Sequence, residues 1–281
     1  MGLLVGERVE RVESLDPVGD RLSGAVRKVL RPQWLRDVLH GVPLGHALHP
    51  VLVQLPVGAW ISAAILDALP GGTKAATTLI AVGTASAVPA AVAGANDWAS
   101  LGPEQRRVGL VHAAANTVAL ALFGGSLVAR ARGRSTAGKA LSYTALAVAG
   151  GSAYLGGHLS YAQGAGMNQA VPALRLIPDG WHDLGATAEF TDGFTSVRHI
   201  GEVPVLVYRE DDRFSVLLER CAHQSGPLGE GKVEDGCVVC PWHGSTFRLR
   251  DGSVKHGPAS SNQPTLRTHV TPGGRLEAAL P

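Results

Sequence analysis

The sequence predicts two domains of unlike fold: an N-terminal all-α bundle of four transmembrane helices, then a small all-β domain. Three observations carry this. Residues 50–161 contain long runs of Ala, Val, Leu and Gly almost free of charge, whereas residues 175–281 have the mixed charge of a water-soluble chain. The apolar half divides into four segments, each close to the roughly 20 residues needed to cross a bilayer. The second half divides into short strand-like runs separated by Gly, Asp and Pro turns. The 281 residues suffice for two such domains. The expected division is an N-terminal segment at 1–45, the membrane domain at 46–161, a linker at 162–175 and the all-β domain at 176–281.

Within the N-terminal segment, Val18, Leu22, Val26 and Leu30 recur at helical spacing with Arg21, Arg27 and Lys28 between them. This is a surface helix, lying on lipid headgroups or packed as an ordinary soluble helix. Glu, Arg and Asp run through the first forty residues, which do not read as a signal peptide.

The four apolar segments are 50–69, 75–95, 108–129 and 140–159, with Pro89 a kink in the second and short polar connectors at 70–74, 100–107 and 130–139. Helices satisfy their own backbone groups, so they can span lipid. A soluble bundle is the alternative, but its helices need a polar face. The second and fourth segments offer only Ser, Thr, Tyr and Gly for one. Gly124, Gly125, Gly150 and Gly151 allow close helix packing. Arg27, Lys28, Arg31, Arg36, Arg106, Arg107 and Arg175 fall on the N-terminal side of the membrane. Lys74, Arg130, Arg132, Arg134 and Lys139 fall on the other. The slight bias places the N-terminus in the cytoplasm, and four crossings return the C-terminal domain to that side.

Strand-like runs in the second half are 203–208, 214–218 and 237–240. The formal net charge of +2 gives no sign of a nucleic-acid binder. The three cysteines, Cys221, Cys237 and Cys240, are odd in number and lie within twenty residues of one another. Such a set is a poor disulfide framework and suits metal ligation or a reduced compartment.

The chemistry is concentrated in Cys221-x-His223 and, sixteen residues later, Cys240-x-x-His243. Two thiolates and two imidazoles suit a mixed-ligand iron–sulfur site, and the same donors could hold zinc. Cys237 and Cys240 also form a Cys-x-x-Cys, a pattern used in thiol redox chemistry. With Cys240 drawn into the metal motif, Cys237 is read as a buried strand residue.

Residues 176–281 resemble the Rieske family, through the alternating Cys/His order, Gly226-Pro227-Leu228, the turn His243-Gly244-Ser245 and Gly257-Pro258-Ala259. The resemblance implies a Rieske sandwich with a [2Fe-2S] cluster at the tip of two loops. It assigns Cys221 and Cys240 to one iron, and His223 and His243 to the other near the surface. Ser245 then donates towards a bridging sulfide. Family members of quinol-oxidising complexes carry a further cysteine in each loop and often a Tyr after the turn. Here those positions are Gly226, Trp242 and Phe247. Fewer donors to the cluster imply a potential low in the Rieske range. Only 38 residues follow His243, too few for the second iron domain of an oxygenase catalytic subunit. No nucleotide-binding fingerprint is present, so reducing power is expected from another chain. The expected function is a membrane-anchored iron–sulfur electron carrier between a reductase and an acceptor, passing electrons through His223 and His243. The alternatives are a subunit of a haem- or quinone-linked oxidoreductase and a redox sensor.

The membrane half has a second constellation. Four crossings bring His46, His49, Asn96, Asp97, His112, Asn116 and His158 to one membrane face. Ionisable groups at such depth are costly and often functional. His49, His112 and His158 form a candidate site for b-type haem, a quinone headgroup or a metal, or else they cap helix ends among headgroups. This half also resembles a four-helix membrane domain sometimes joined to Rieske domains, most clearly in GHALHP at 45–50. That resemblance implies no known activity.

Overall fold

Runs of Ala, Leu and Val without turn residues become helices, and β-branched runs between Gly, Asp and Pro become strands. A computed structural model of the chain describes residues 5–281. The helices are α1 (Val5–Glu10), α2 (Asp16–Val29), α3 (Gln33–His40), α4 (His49–Leu52), α5 (Gln54–Ala68), α6 (Thr73–Trp98), α7 (Pro103–Ala131), α8 (Ser135–Gly157) and the short α9 (Val171–Leu174). The chain divides into two compact units. One holds the described chain up to Arg31 together with Leu48–Ala165, and the other Pro32–Ala47 with Gly166–Pro281.

The helical region carries eight α-helices up to Gly157 among the described residues, where four were expected. Three short helices precede the bundle, and α4 is set off from α5 at Val53 because Pro56 has no N–H to continue the ladder. Three helical stretches are long and apolar enough to cross a membrane: His49–Ala68, Thr73–Trp98 and Pro103–Ala131. The fourth expected segment forms α8, of 23 residues, which is not among these three.

The bundle is packed inside out relative to a soluble protein. Ala63, Ala76, Gly83, Ala90 and Ala93 face inward, while Leu55, Ile61, Ile65, Val82, Val92 and Val118 face outward. Small residues inside let helices approach, and large apolar residues outside suit lipid. Trp60 stacks on Phe123 at 4.3 Å between ring centroids. A Cβ at Gly83 would lie 2.5 Å from the Trp60 indole nitrogen, so this position admits only glycine. At one end of the bundle the Arg130 guanidinium grips the Asp67 carboxylate inside the protein, and Lys139 Nζ donates to the Asp67 carbonyl at 2.6 Å. At the other end Arg107 forks onto Asp16 at 2.6–2.7 Å and Arg106 meets Asp20 at 2.8 Å. These pairs hold α2 with Gly19 and Ser23 inward and Val18 and Leu22 exposed.

The second unit contains ten strands among the described residues: β1 (His182–Ala186), β2 (Thr195–Ile200), β3 (Val203–Glu210), β4 (Arg213–Leu218), β5 (Lys232–Glu234), β6 (Cys237–Val239), β7 (Thr246–Arg248), β8 (Val254–His256), β9 (Thr265–Val270) and β10 (Arg275–Ala279). They form a six-stranded antiparallel sheet, β1-β10-β9-β4-β3-β2, and a four-stranded one, β5-β6-β7-β8. Val205, Leu206, Leu217, Leu228, Val238, Phe247 and Leu276 fill the core. The stretch 162–175 ends inside this unit: Ala170 is in the core and the Gln169 amide bonds to the Ala222 carbonyl at 2.9 Å.

Replacing Arg130 with Leu leaves the Asp67 carboxylate buried without its counter-charge. The expected cost is about 3–5 kcal/mol, read as a fall in the thermal unfolding midpoint in detergent. The double replacement Asp67→Leu with Arg130→Leu should recover most of that loss.

Candidate metal centre

Two loops follow β4 and β6, and both are built on one hydrogen-bond frame. Each cysteine amide donates to the carbonyl five residues ahead: Cys221 to Gly226 at 2.9 Å and Cys240 to Ser245 at 2.8 Å. In each, the amide four residues ahead returns to the cysteine carbonyl: Ser225 to Cys221 at 2.8 Å and Gly244 to Cys240 at 3.0 Å. The closing residue is left-handed in both, Ser225 at φ 56° and Gly244 at φ 79°. The backbone thus turns each cysteine inward and sends the following histidine past it.

Cross-loop contacts bring the two frames together. A Cβ on Gly226 would come within 2.8 Å of Cys240 Sγ and 3.1 Å of the Trp242 ring, so glycine keeps this space open. Gln263, buried in the wall, clamps the first loop. Its Oε1 accepts from the Ala222 amide at 2.8 Å, and its Nε2 donates to the Leu218 and Arg220 carbonyls at 2.7 Å. Ser245 Oγ accepts from the Ala259 amide at 2.9 Å, which leaves the hydroxyl proton for another acceptor.

The four expected donors meet here as two pairs. The Cys221 and Cys240 thiols are hydrogen-bonded to each other; this bond and then burial push Cys221 up, and the same bond pulls Cys240 down to about 7. The His223 and His243 rings lie 5.1 Å apart, edge to face. Burial, then His243 and His40, push His223 down to about 3, so its imidazole is neutral, the form that binds a metal. His223 Nδ1 is buried and has no hydrogen-bond partner, a cost that a bound metal removes. Among the described residues no three His, Cys, Asp or Glu side chains converge on one point. Pairing of thiol with thiol and imidazole with imidazole suits a group with two metal centres. All three cysteines are free, and Cys237 is buried in β6. Phe247 is wholly buried.

The membrane histidines each have their own local partner. His49 Nδ1 bonds to the Ala90 carbonyl at 2.8 Å, and His112 Nδ1 to the Ser152 carbonyl at 2.7 Å. Asn116 Nδ2 lies 3.1 Å from His112 Nε2. His158 Nε2 is taken by the Glu10 carboxylate at 2.5 Å. Sequence reasoning missed Gln263 and also α3, whose Asp37 and His40 pack beside the Rieske-like loops. Neither carries a motif, because their partners are distant in sequence.

Two family models match the chain. A Rieske [2Fe-2S] domain matches residues 180–268, and a predicted membrane protein family, DUF2231, matches residues 45–169. The anthranilate 1,2-dioxygenase ferredoxin subunit of Burkholderia cepacia is 41% identical over 78 residues, 28% of this chain and 72% of that protein. Ferredoxin CarAc of Metapseudomonas resinovorans is 32% identical over 81 residues, 28% of this chain and 76% of its own length. The solved ferredoxin of carbazole 1,9a-dioxygenase from Nocardioides aromaticivorans IC177 aligns at 18% identity with a TM-score of 0.35, covering 37% of this chain and 100% of that one. With its paired loops and with ferredoxins matched over most of their length, the chain belongs to the Rieske [2Fe-2S] family, here preceded by a predicted membrane-protein domain.

Proposed function

We propose that the protein is a membrane-anchored Rieske-type electron carrier, with Cys221, His223, Cys240 and His243 as its cluster ligands. The observation that carries this is the pairing of donors, thiol with thiol and imidazole with imidazole, around a buried and unpartnered His223 nitrogen. When bound, a [2Fe-2S] cluster supplies one-electron redox chemistry, at a potential raised by two neutral imidazoles. Cys221 and Cys240 would hold one iron, and His223 and His243 the other. Ser245, oriented by the Ala259 amide, keeps a hydroxyl proton to donate towards sulfide. Gln263 holds the first loop rigid. Trp242, 56% exposed and adjoining His243, offers a face for a redox partner. Gly226 and Trp242 supply no loop disulfide and Phe247 no hydroxyl, which places the potential low in the Rieske range. A reductase as donor and an oxygenase-like acceptor fit that range, in keeping with the ferredoxins among the relatives.

The inside-out bundle and the DUF2231 match support insertion in a bilayer. The number of crossings is supported by packing within one unit. Pro32–Ala47 precedes the first apolar helix, while Gly166–Pro281 follows the last helix of the bundle, and both belong to the same compact unit. Segments that pack together outside a bilayer are separated by an even number of crossings. This favours α8 as the fourth, its 23 residues reaching about 35 Å at 1.5 Å per residue. The slight Lys/Arg bias then favours the cytoplasmic side for the Rieske domain. The exposed Val18 and Leu22 of α2 suit contact with the lipid surface.

A haem-linked role is the second reading. A ring nitrogen facing a carbonyl must carry the proton, so His49 and His112 both donate through Nδ1, and Nε2 is the nitrogen that could take a metal. That is the form in which a metal-bound imidazole is normally supported. The Asn116 amide would give up its bond to His112 on metal binding.

Redox-titrated EPR of the detergent-purified full chain tests the main reading. A Rieske-type signal is expected in the unaltered protein and its loss in His223→Ala and Cys240→Ser; a silent unaltered protein after anaerobic reconstitution sinks the proposal. Phe247→Tyr should raise the midpoint potential by about 40 mV, the equivalent of one neutral hydrogen bond of about 1 kcal/mol. On the haem reading, a pyridine haemochrome assay should show a band that His112→Ala removes while sparing the EPR signal; absence of any band ends that reading.

A further inference from the structure

Helix α3 lies outside both family matches, yet it is packed into the unit that carries the Rieske domain. We propose that Asp37 of α3 is a positioning residue of the iron–sulfur site, fixing the loop Gly257-Pro258-Ala259 and, through the Ala259 amide, the direction of the Ser245 hydroxyl. The inference rests on the ligand set proposed above.

The bonds form one continuous path. Asp37 Oδ1 accepts from the Gly257 amide at 2.9 Å, and Asp37 Oδ2 meets His256 Nδ1 at 2.9 Å. Gln33, one turn earlier, donates to the same carboxylate at 2.8 Å and fixes its rotamer. Two residues beyond Gly257, the Ala259 amide donates to Ser245 Oγ at 2.9 Å. The Ser245 carbonyl in turn accepts from the Cys240 amide at 2.8 Å. One helical carboxylate is therefore two short links from the second cysteine loop.

The seat of α3 is tight. Gly41 ends the helix in a left-handed cap at φ 83°. His40 is 6% exposed and packs on Gly257, where a Cβ would come within 2.8 Å of the imidazole ring. The glycine thus makes room for His40, and α3 cannot slide without opening that contact. His256, the other Asp37 partner, ends β8 and pairs with Thr246 beside Ser245, so the helix holds the same corner through a second strand.

The chemistry of the site makes this positioning measurable. A hydroxyl that accepts from an amide has its own proton aimed away from that amide. Holding the loop fixes that aim, and a donor aimed at sulfide stabilises the reduced, more negative state. Loss of Asp37 should therefore lower the midpoint potential. A purely electrostatic role for Asp37 has the opposite sign, because removing a nearby negative charge favours reduction.

The test uses the full-length, detergent-purified protein and two readouts: amide hydrogen exchange at Gly257 and Ala259, and EPR-monitored midpoint potential. Asp37→Ala should speed both amides about tenfold, the loss of one hydrogen bond, and lower the midpoint. Asp37→Asn keeps the Oδ1 acceptor and should retain most of the protection and the native midpoint. Ser245→Ala should lower the midpoint, and adding Asp37→Ala to it should lower it no further. A raised or unchanged midpoint in Asp37→Ala, or an effect additive with Ser245→Ala, overturns the proposal. If the unaltered protein has no Rieske signal, the carrier reading fails separately, and unchanged exchange in Asp37→Ala then still overturns the clamp.

Discussion

The iron–sulfur half depends on two cysteine amides that fold back onto carbonyls five residues ahead. That bond makes each loop a closed turn, and the closed turn decides where the sulfur and the following imidazole point. Because both loops use the same bond, they present their donors in the same order and meet as matching pairs. A left-handed residue is the condition for the turn, met by Gly244 in one loop and by Ser225 in the other. Gln263, Ser245 and the Gly257–Ala259 strap then act on a geometry the backbone has already set.

The helical half follows the opposite rule. Its interior is rich in alanine and glycine around the Trp60–Phe123 stack, so helix contact is backbone-close. Charges are confined to the two ends, Asp67 with Arg130 at one and Arg106 and Arg107 with α2 at the other. The buried pair gives register to helices that small residues alone would let slide. The histidines sit where polar backbone groups remain to receive them, which explains why each has found a carbonyl or a carboxylate.

The chain's legibility follows the range of its interactions. Cys221, His223, Cys240 and His243, which the structure brings together as two pairs, were readable as a set because their spacings within each loop are short. β3, β4 and β6 were readable from their β-branched runs, whereas β5 (Lys232–Glu234) and β8 (Val254–His256) are three-residue strands rich in charge that only pairing reveals. The long helices followed from apolar length, but the break at Val53 needed the structure. Gln263 and Asp37 could not be found. Gln263 acts across some forty residues and Asp37 across 220, and neither distance leaves a local pattern. Residues 1–45 read as a single amphipathic segment, yet α2 packs with the bundle and α3 with the Rieske domain.

That last division has a consequence for biogenesis. The unit that holds the Rieske domain is discontinuous: its first piece, Pro32–Ala47, leaves the ribosome before any of the long apolar helices, and the remainder only after all of them. Its final form is therefore closed only after the intervening bundle has been made. Early on, α3 is a tethered fragment waiting for its sheet, and the rest of the unit, once synthesised, meets it at the effective concentration of a single chain. Closure of that unit thereby waits on synthesis of the whole helical region, an ordering written into the connectivity of the chain.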